Sequence, residues 1–311
     1  MEYRPDRSFA VECDKMDPLR EYRDQFFLPT LSSGEPYIYF CGNSLGLQPR
    51  KTSEYINQEL EDWARLGVEG HFHARNPWMP YHELLSEKTA RLVGAKPIEV
   101  VNMNTLTVNL HLMMVSFYRP SPGRYKILIE ANAFPSDRYA AASQIRFHGY
   151  NPAEALLELP LREGEKIHRV EDVELFLEER GDEIALVLLG GVNYYTGQWF
   201  DMKRITHKAK EKGCLVGYDL AHAVGNVPLE LNRWGVDFAV WCSYKYLNAG
   251  PGSIAGCFVH EEHAHDETLP RFAGWWGHDK STRFLMPEEF KPIPGAEGWQ
   301  LSNPAILPLA A

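Results

Sequence analysis

Along this chain, short apolar runs alternate with longer stretches in which apolar residues recur every three or four positions. Lys126–Glu130 (KILIE), Ile184–Gly190 (IALVLLG), Cys214–Asp219 (CLVGYD), Val236–Cys242 and Ile254–Val259 are short runs bounded by Gly or charge, as buried strands are. Shorter strands are predicted at Tyr37–Phe40, Val100–Met103 and Ala155–Leu159. The helical period predicts helices over Pro49–Leu66, Tyr81–Val93, Val108–Tyr118, Pro135–Gln144, Val170–Glu179 and Asp201–Lys212, with Gly67, Gly94 and Gly213 as stops. Residues 1–35 are polar with scattered aromatics and predict an arm with a short helix around Pro18–Phe27. Alternation of strand and helix predicts an α/β fold, a mostly parallel sheet with helices on both faces. After His265 the pattern frays into a segment rich in Gly, Pro and Trp, and the chain ends on an apolar tail, Ile306–Ala311.

The composition narrows the function classes. The 311 residues are 44% hydrophobic and 24% charged, with a net charge of −10. An acidic chain argues against a nucleic-acid or anionic-membrane partner. No apolar stretch reaches membrane-spanning length, and the N-terminal residues lack the apolar core of a secretory signal, so a cytoplasmic protein is expected. Cys13, Cys41, Cys214, Cys242 and Cys257 include no C-x-x-C pair, which suits a reducing compartment. The histidines around His260 and His263 miss the H-E-x-x-H spacing, so no metal is expected.

Candidate chemistry concentrates between Cys214 and Gly256. Asp219 ends one apolar run, and Ser243-Tyr244-Lys245-Tyr246 follows the next. Both positions fall at the carboxyl edge of the sheet, where open α/β folds bind ligands. An amine there can form an imine with an aldehyde cofactor, and a carboxylate can hold a pyridine nitrogen protonated. These are a protein's two main handles on pyridoxal phosphate. Singly, a Lys between tyrosines is an ordinary loop residue and an Asp after a strand an ordinary cap; the joint placement, with His222 nearby, carries the reading. The strand-to-helix junction Asn104–Thr107 is the best phosphate cradle, since free N–H groups and the helix dipole favour an anion. Phe134, at the same sheet edge, can lie flat on an aromatic cofactor or be a core residue.

From Tyr37 to Pro304 the chain resembles the kynureninase family of fold-type I pyridoxal-phosphate hydrolases. The resemblance rests on YFCGNSLGLQP near the start, NTLTVNLHL at 104–112, FPSD at 134–137, YTGQ at 195–198, DLAHAVGNV at 219–227, WCSYKYLNAGPG at 241–252, GWWGH at 274–278 and SNP at 302–304. The Asp and Lys motifs alone also fit cysteine desulfurases and aminotransferases; the remaining motifs narrow the match. The resemblance implies an aspartate aminotransferase-like large domain and hydrolytic Cβ–Cγ cleavage of L-kynurenine or 3-hydroxy-L-kynurenine. The products would be anthranilate or 3-hydroxyanthranilate and L-alanine, in tryptophan catabolism and NAD biosynthesis. Carried over by position, Lys245 would bear the cofactor and Asp219 would pair with its pyridine nitrogen, supported by His222. Leu106, Thr107 and Tyr244 would meet the phosphate, and Tyr244 would also relay a proton. Phe134 would stack on the ring, with Pro135, Ser136 and Asp137 beside it. Trp275 and Asn303 would be contributed to the cofactor site of a second subunit, which implies a homodimer. His71 and Asn303 would contact the substrate.

The resemblance also divides the chain into an arm and helical segment (1–70), a cofactor-binding large domain (71–270) and the start of a connection (271–311). A C-terminal small domain carrying an Arg for the substrate carboxylate belongs to this fold type, and nothing after Pro304 matches it. The expectation is therefore a truncated large domain that binds pyridoxal phosphate with depressed turnover. A catalytically defective fragment or dimerisation partner is the alternative from another class, and a desulfurase-like lyase the alternative among enzymes.

Overall fold

The computed structural model describes residues 3–311. Seven strands form one sheet: β1 (Val100–Asn102), β2 (Lys126–Glu130), β3 (Leu156–Leu159), β4 (Ile184–Gly190), β5 (Leu215–Asp219), β6 (Phe238–Trp241) and β7 (Gly256–Val259), in the order β1-β7-β6-β5-β4-β2-β3. Pairing is parallel from β6 through β5, β4 and β2 to β3, whereas β7 runs antiparallel to both β6 and β1. The expected mostly parallel sheet is thus present, made mixed by β7.

Period-two alternation sends the side chains of each strand to opposite faces. Val187 and Leu189 of β4 pack into one core with Val173 and Leu177 of the Val170–Arg180 helix and Ile205 and Ala209 of the Met202–Glu211 helix. Leu186 and Leu188 join the other core, with Leu110 and Met113 of the Leu106–Phe117 helix and Ala141 and Ile145 of the Pro135–Phe147 helix. Strands covered on both sides must be apolar throughout, which is why these runs were continuous rather than alternating.

From β2 the chain moves outward to β3 and then crosses to β4 on the other side of β2, before continuing to β5 and β6. The sheet therefore reverses its order between β2 and β4. At such a point the connections leave in opposite directions and open a crevice at the carboxyl ends of the strands.

Two expectations are corrected, and the apolar tail takes a defined form. Tyr37–Phe40 forms no strand: antiparallel pairing with the preceding segment stops at the Thr30–Pro36 bridge and the Tyr37 N–H to Pro29 carbonyl bond (2.8 Å), and Ile38 and Phe40 stand 85% and 88% exposed. The arm folds as an Arg7–Met16 helix, capped by Asp6 accepting from the Phe9 N–H, and a 3₁₀ turn at Arg20–Gln25 in place of a Pro18–Phe27 helix. The apolar tail becomes a short Ile306–Ala310 helix against the Thr52–Leu66 helix, where Ile306, Leu307 and Pro308 line a pocket with Trp63 and Trp78. The weakly patterned segment after His265 also supplies core: Trp299 stacks on Phe117 (6.2 Å), donates to Ser116 Oγ (2.8 Å) and carries the Arg271 guanidinium over its ring.

Candidate active site

A cavity of about 440 Å³ opens at the carboxyl edge and is lined by Asn43, Ser44, Leu106, Thr107, Glu130, Phe134, Ser136, Asp137, Gly190, Val192, Tyr194, Asp219, Ala221, His222, Tyr244 and Lys245. Its floor is made of strand ends. Glu130 ends β2, Gly190 ends β4 and Asp219 ends β5.

Lys245 lies in the loop between β6 and β7. Its Nζ is 3.0 Å from His222 Nε2. Burial, and then the neighbouring Lys245, lower the imidazole to about 4, so His222 is neutral at physiological pH. The loop is held from below: Gly46 N–H donates to the Tyr244 carbonyl (2.7 Å), and Asn248 N–H to the Lys245 carbonyl (3.2 Å). A Cβ on Gly46 would stand 2.3 Å from the Lys245 carbonyl oxygen, so only glycine lets the two loops meet this closely.

Asp219 and Asp137 are both almost fully buried, line the same cavity and influence each other's ionisation. Burial pushes both carboxyls up, and Asp219 raises Asp137 further. Ala221 N–H donates to Asp219 Oδ1 (2.8 Å), while Asp137 Oδ1 has no partner among the described residues. Burial, and then the Asp219 charge, lift Glu130 to about 7. The Tyr244 phenol is raised to about 12, first by burial and then by Cys242.

At the opposite end, Asn104 adopts a left-handed conformation (φ 51°) and turns the chain from β1 into the Leu106–Phe117 helix. Asn109 locks this corner, accepting from Asn104 Nδ2 (3.0 Å) and donating to the Met103 carbonyl (2.9 Å). No side chain caps the helix at Thr105, which leaves its first N–H groups without a side-chain acceptor, and its first residues Leu106 and Thr107 line the cavity, where Thr107 Oγ1 shares a 3.0 Å hydrogen bond with Ser136 Oγ. The site thus offers anion donors at one end and a buried, partly unpartnered carboxyl pair at the other, with a lysine in the same cavity. That donor set fits a pyridoxal phosphate: phosphate to the helix start, pyridine nitrogen to Asp219, aldehyde to Lys245.

Leu106, Thr107, Phe134, Ser136, Asp137, Asp219, His222, Tyr244 and Lys245 meet in this cavity, and Pro135 opens the helix that carries Ser136 and Asp137. His71 lies elsewhere in the chain, edge-to-face with Trp78 at 5.5 Å. Trp275 lines a separate groove with Phe290, and Asn303 a cleft with Asn102 and Ile254. Sequence reasoning did not single out Asn43, Ser44, Glu130 or Tyr194. The GNSLG turn was a signal for the first pair, since a glycine-bounded polar turn beside the Lys loop has a reason to be tight. His82, Glu83 and Glu297, and also Asp237, Glu262 and His263, approach as metal ligands do. In each group an ammonium fills the central place: Lys280 Nζ is 2.6 Å from Glu297 and Lys210 Nζ 2.6 Å from Asp237.

Residues 38–268 match the aminotransferase class-V family. The fold is similar to that of cysteine desulfurases from Thermococcus onnurineus NA1 (TM-score 0.68, 18% identity, 100% of this chain and 70% of that one) and Escherichia coli (TM-score 0.72, 20% identity, 95% and 70%). Likeness at that identity speaks to fold alone. Sequence comparison goes further: a kynureninase of Myxococcus xanthus is 64% identical over 99% of this chain and 72% of its own length, and one of Koribacter versatilis is 60% identical over 98% and 72%. The chain belongs to the kynureninase family. A relative as distant as the kynureninase of Nematostella vectensis is still 56% identical over 96% of this chain and 67% of its own length. Kynureninases of this family use pyridoxal 5′-phosphate, the cofactor that the donor set fits.

Proposed function

We propose that this chain is a pyridoxal-phosphate hydrolase that cleaves the Cβ–Cγ bond of L-kynurenine or 3-hydroxy-L-kynurenine, releasing an anthranilate and L-alanine. The observation that carries the reading is the meeting of Lys245, Asp219 and the uncapped helix start in one cavity of a chain 64% identical to a kynureninase.

Bound there, pyridoxal phosphate supplies an electron sink for charge that develops at the substrate's Cα. The first N–H groups of the Leu106–Phe117 helix, with Thr107 and Ser136, hold the phosphate. Asp219, backed by Asp137, keeps the pyridine nitrogen charged. Phe134 covers the ring, and neutral His222 supports it without adding a competing cation. Lys245 would hold the cofactor through its amine, and that amine would take and return the proton at substrate Cα. Tyr244 retains its proton at neutral pH and would donate it to substrate Cβ as water adds to the γ-carbonyl and Cβ–Cγ breaks, the acyl carbon leaving as the carboxyl of the anthranilate. The protein loaded with pyridoxal phosphate is expected to release anthranilate and L-alanine in equal amounts from L-kynurenine, measured by anthranilate fluorescence and alanine assay. Sulfide from L-cysteine without anthranilate from kynurenine would contradict the reading and restore the desulfurase alternative.

The working form is a homodimer with shared sites. Trp275 and Asn303 lie outside their own chain's cavity, and Phe272, Phe284, Leu285 and Met286 surround Trp275 with exposed apolar surface. Sedimentation is expected to give a two-chain mass, and mixing Lys245→Ala with Trp275→Ala protein is expected to regain activity that neither has alone. A monomeric, fully active species would reject shared sites. The protein works in the cytoplasm, where the unpaired thiols of buried Cys214, Cys242 and Cys257 stay reduced. No helix among the described residues is long and apolar enough to cross a membrane.

A further inference from the structure

Glu130 has no part in the roles assigned above, yet it occupies the point where the sheet reverses. It ends β2, is 5% exposed, and faces the same cavity as Asp137 and Asp219. Its Oε2 accepts from the N–H of Gly190, the last residue of β4 (3.2 Å). A single carboxyl thus bridges the two strands between which the crevice opens. Gly190 keeps that bridge close, because a Cβ there would stand 3.1 Å from Glu130 Oε1. A carboxyl is costly to bury at such a place, and Gln would make the same backbone bond without the charge.

The groups around Glu130 define what its charge does. Asp219 of β5 acts on its ionisation, it acts on that of Asp137 in the Pro135–Phe147 helix, and His222 from the turn after β5 and Tyr244 and Lys245 from the loop after β6 line the same cavity. On the β3 side Glu158 is engaged by Arg138. Lys245 is the one side-chain cation lining the cavity, against three carboxyls, and His222 is neutral.

We propose that Glu130 is a positioning residue of the cofactor site, a switchable charge at the β2–β4 crevice that acts on the ring through the Asp137–Asp219 pair. This rests on the cofactor reading above. Burial and the Asp219 charge lift Glu130 to about 7, so it is neutral in mildly acidic solution and anionic in mildly alkaline solution. As it ionises it adds negative charge behind Asp219. That charge favours protonated, cationic forms of the bound cofactor and holds them to higher pH.

The sign of the stability effect follows. A carboxyl raised from its ordinary 4.5 to about 7 binds its proton more tightly in the folded chain, so its contribution to stability is present below about 4.5 and is lost as pH rises through about 7. Glu130→Gln removes that loss.

Two readouts on the full chain test this. In the first, the long-wavelength absorbance band of the protein loaded with pyridoxal phosphate is titrated with pH. Glu130→Gln is expected to move the midpoint down by about one pH unit, the scale of one nearby charge, and Glu130→Asp to restore most of it. In the second, melting temperatures of the cofactor-free protein are compared at pH 5 and pH 8. Wild type is expected to lose more stability between the two than Glu130→Gln does. A merely structural bridge would alter melting equally at both pH values and leave the midpoint in place; either result would overturn the proposal. If wild type forms no band at all, the cofactor reading fails, and the cofactor-free melts still decide whether Glu130 titrates near neutrality.

Discussion

Lys245→Ala is expected to abolish the pyridoxal-phosphate absorbance band formed with the protein's own amine and to lower kynurenine turnover by about 10³-fold or more, the scale at which removal of a covalently acting group operates. Lys245 is the lysine of this cavity, and its Nζ is already aimed inward at His222, 3.0 Å away. The effect should fall on chemistry rather than on folding. Lys245 is only half-buried and lies in a loop held by backbone bonds from Gly46 and Asn248 that the substitution leaves intact. Far-UV circular dichroism and the melting temperature of the cofactor-free protein should therefore match wild type. Normal turnover by Lys245→Ala would place the reactive amine elsewhere.

Asp219→Ala is expected to lower kcat by on the order of 10²–10³-fold, comparable to removing one buried, preorganised electrostatic partner of a transition state. The carboxylate is fixed before any ligand arrives, because it is buried at the end of β5 and accepts from the Ala221 N–H. Asp219→Asn keeps the shape and loses the charge, so it should retain cofactor affinity better than it retains kcat. A near-normal rate for Asp219→Ala, measured with saturating pyridoxal phosphate, would transfer the pairing to Asp137.

Much of this arrangement was legible in the chain. The continuous apolar runs at Ile184–Gly190 and Leu215–Asp219 left no choice but strands covered on both faces, and their placement put Asp219 on the ligand edge. The NTLTVNL junction read as a helix start, and the uncapped turn at Thr105 is what an anion cradle requires. The antiparallel run of β7 was not legible, because a strand's direction depends on how its connection returns, and residues 242–255 carry no helical period to mark a crossover. Glu130 was read as the polar end of KILIE. Its importance comes from Gly190, sixty residues away in sequence and 3.2 Å away in space. The Tyr37–Phe40 strand failed for the converse reason: local propensity was right for a strand, but its pairing with the Pro29–Thr30 segment ends at Tyr37. Core residues such as Trp299 were hidden in a segment without period, since a 3₁₀ turn such as Ala296–Trp299 buries side chains without repeating them.

The central claim is that the cavity between the ends of β2, β4 and β5 holds pyridoxal phosphate on Lys245. Borohydride reduction of the protein loaded with the cofactor, followed by peptide mapping, tests it most directly. The account predicts a single pyridoxyl-modified peptide, with the added mass on Lys245. A modification on Lys280, Lys210 or another lysine, or no stable adduct, would contradict it.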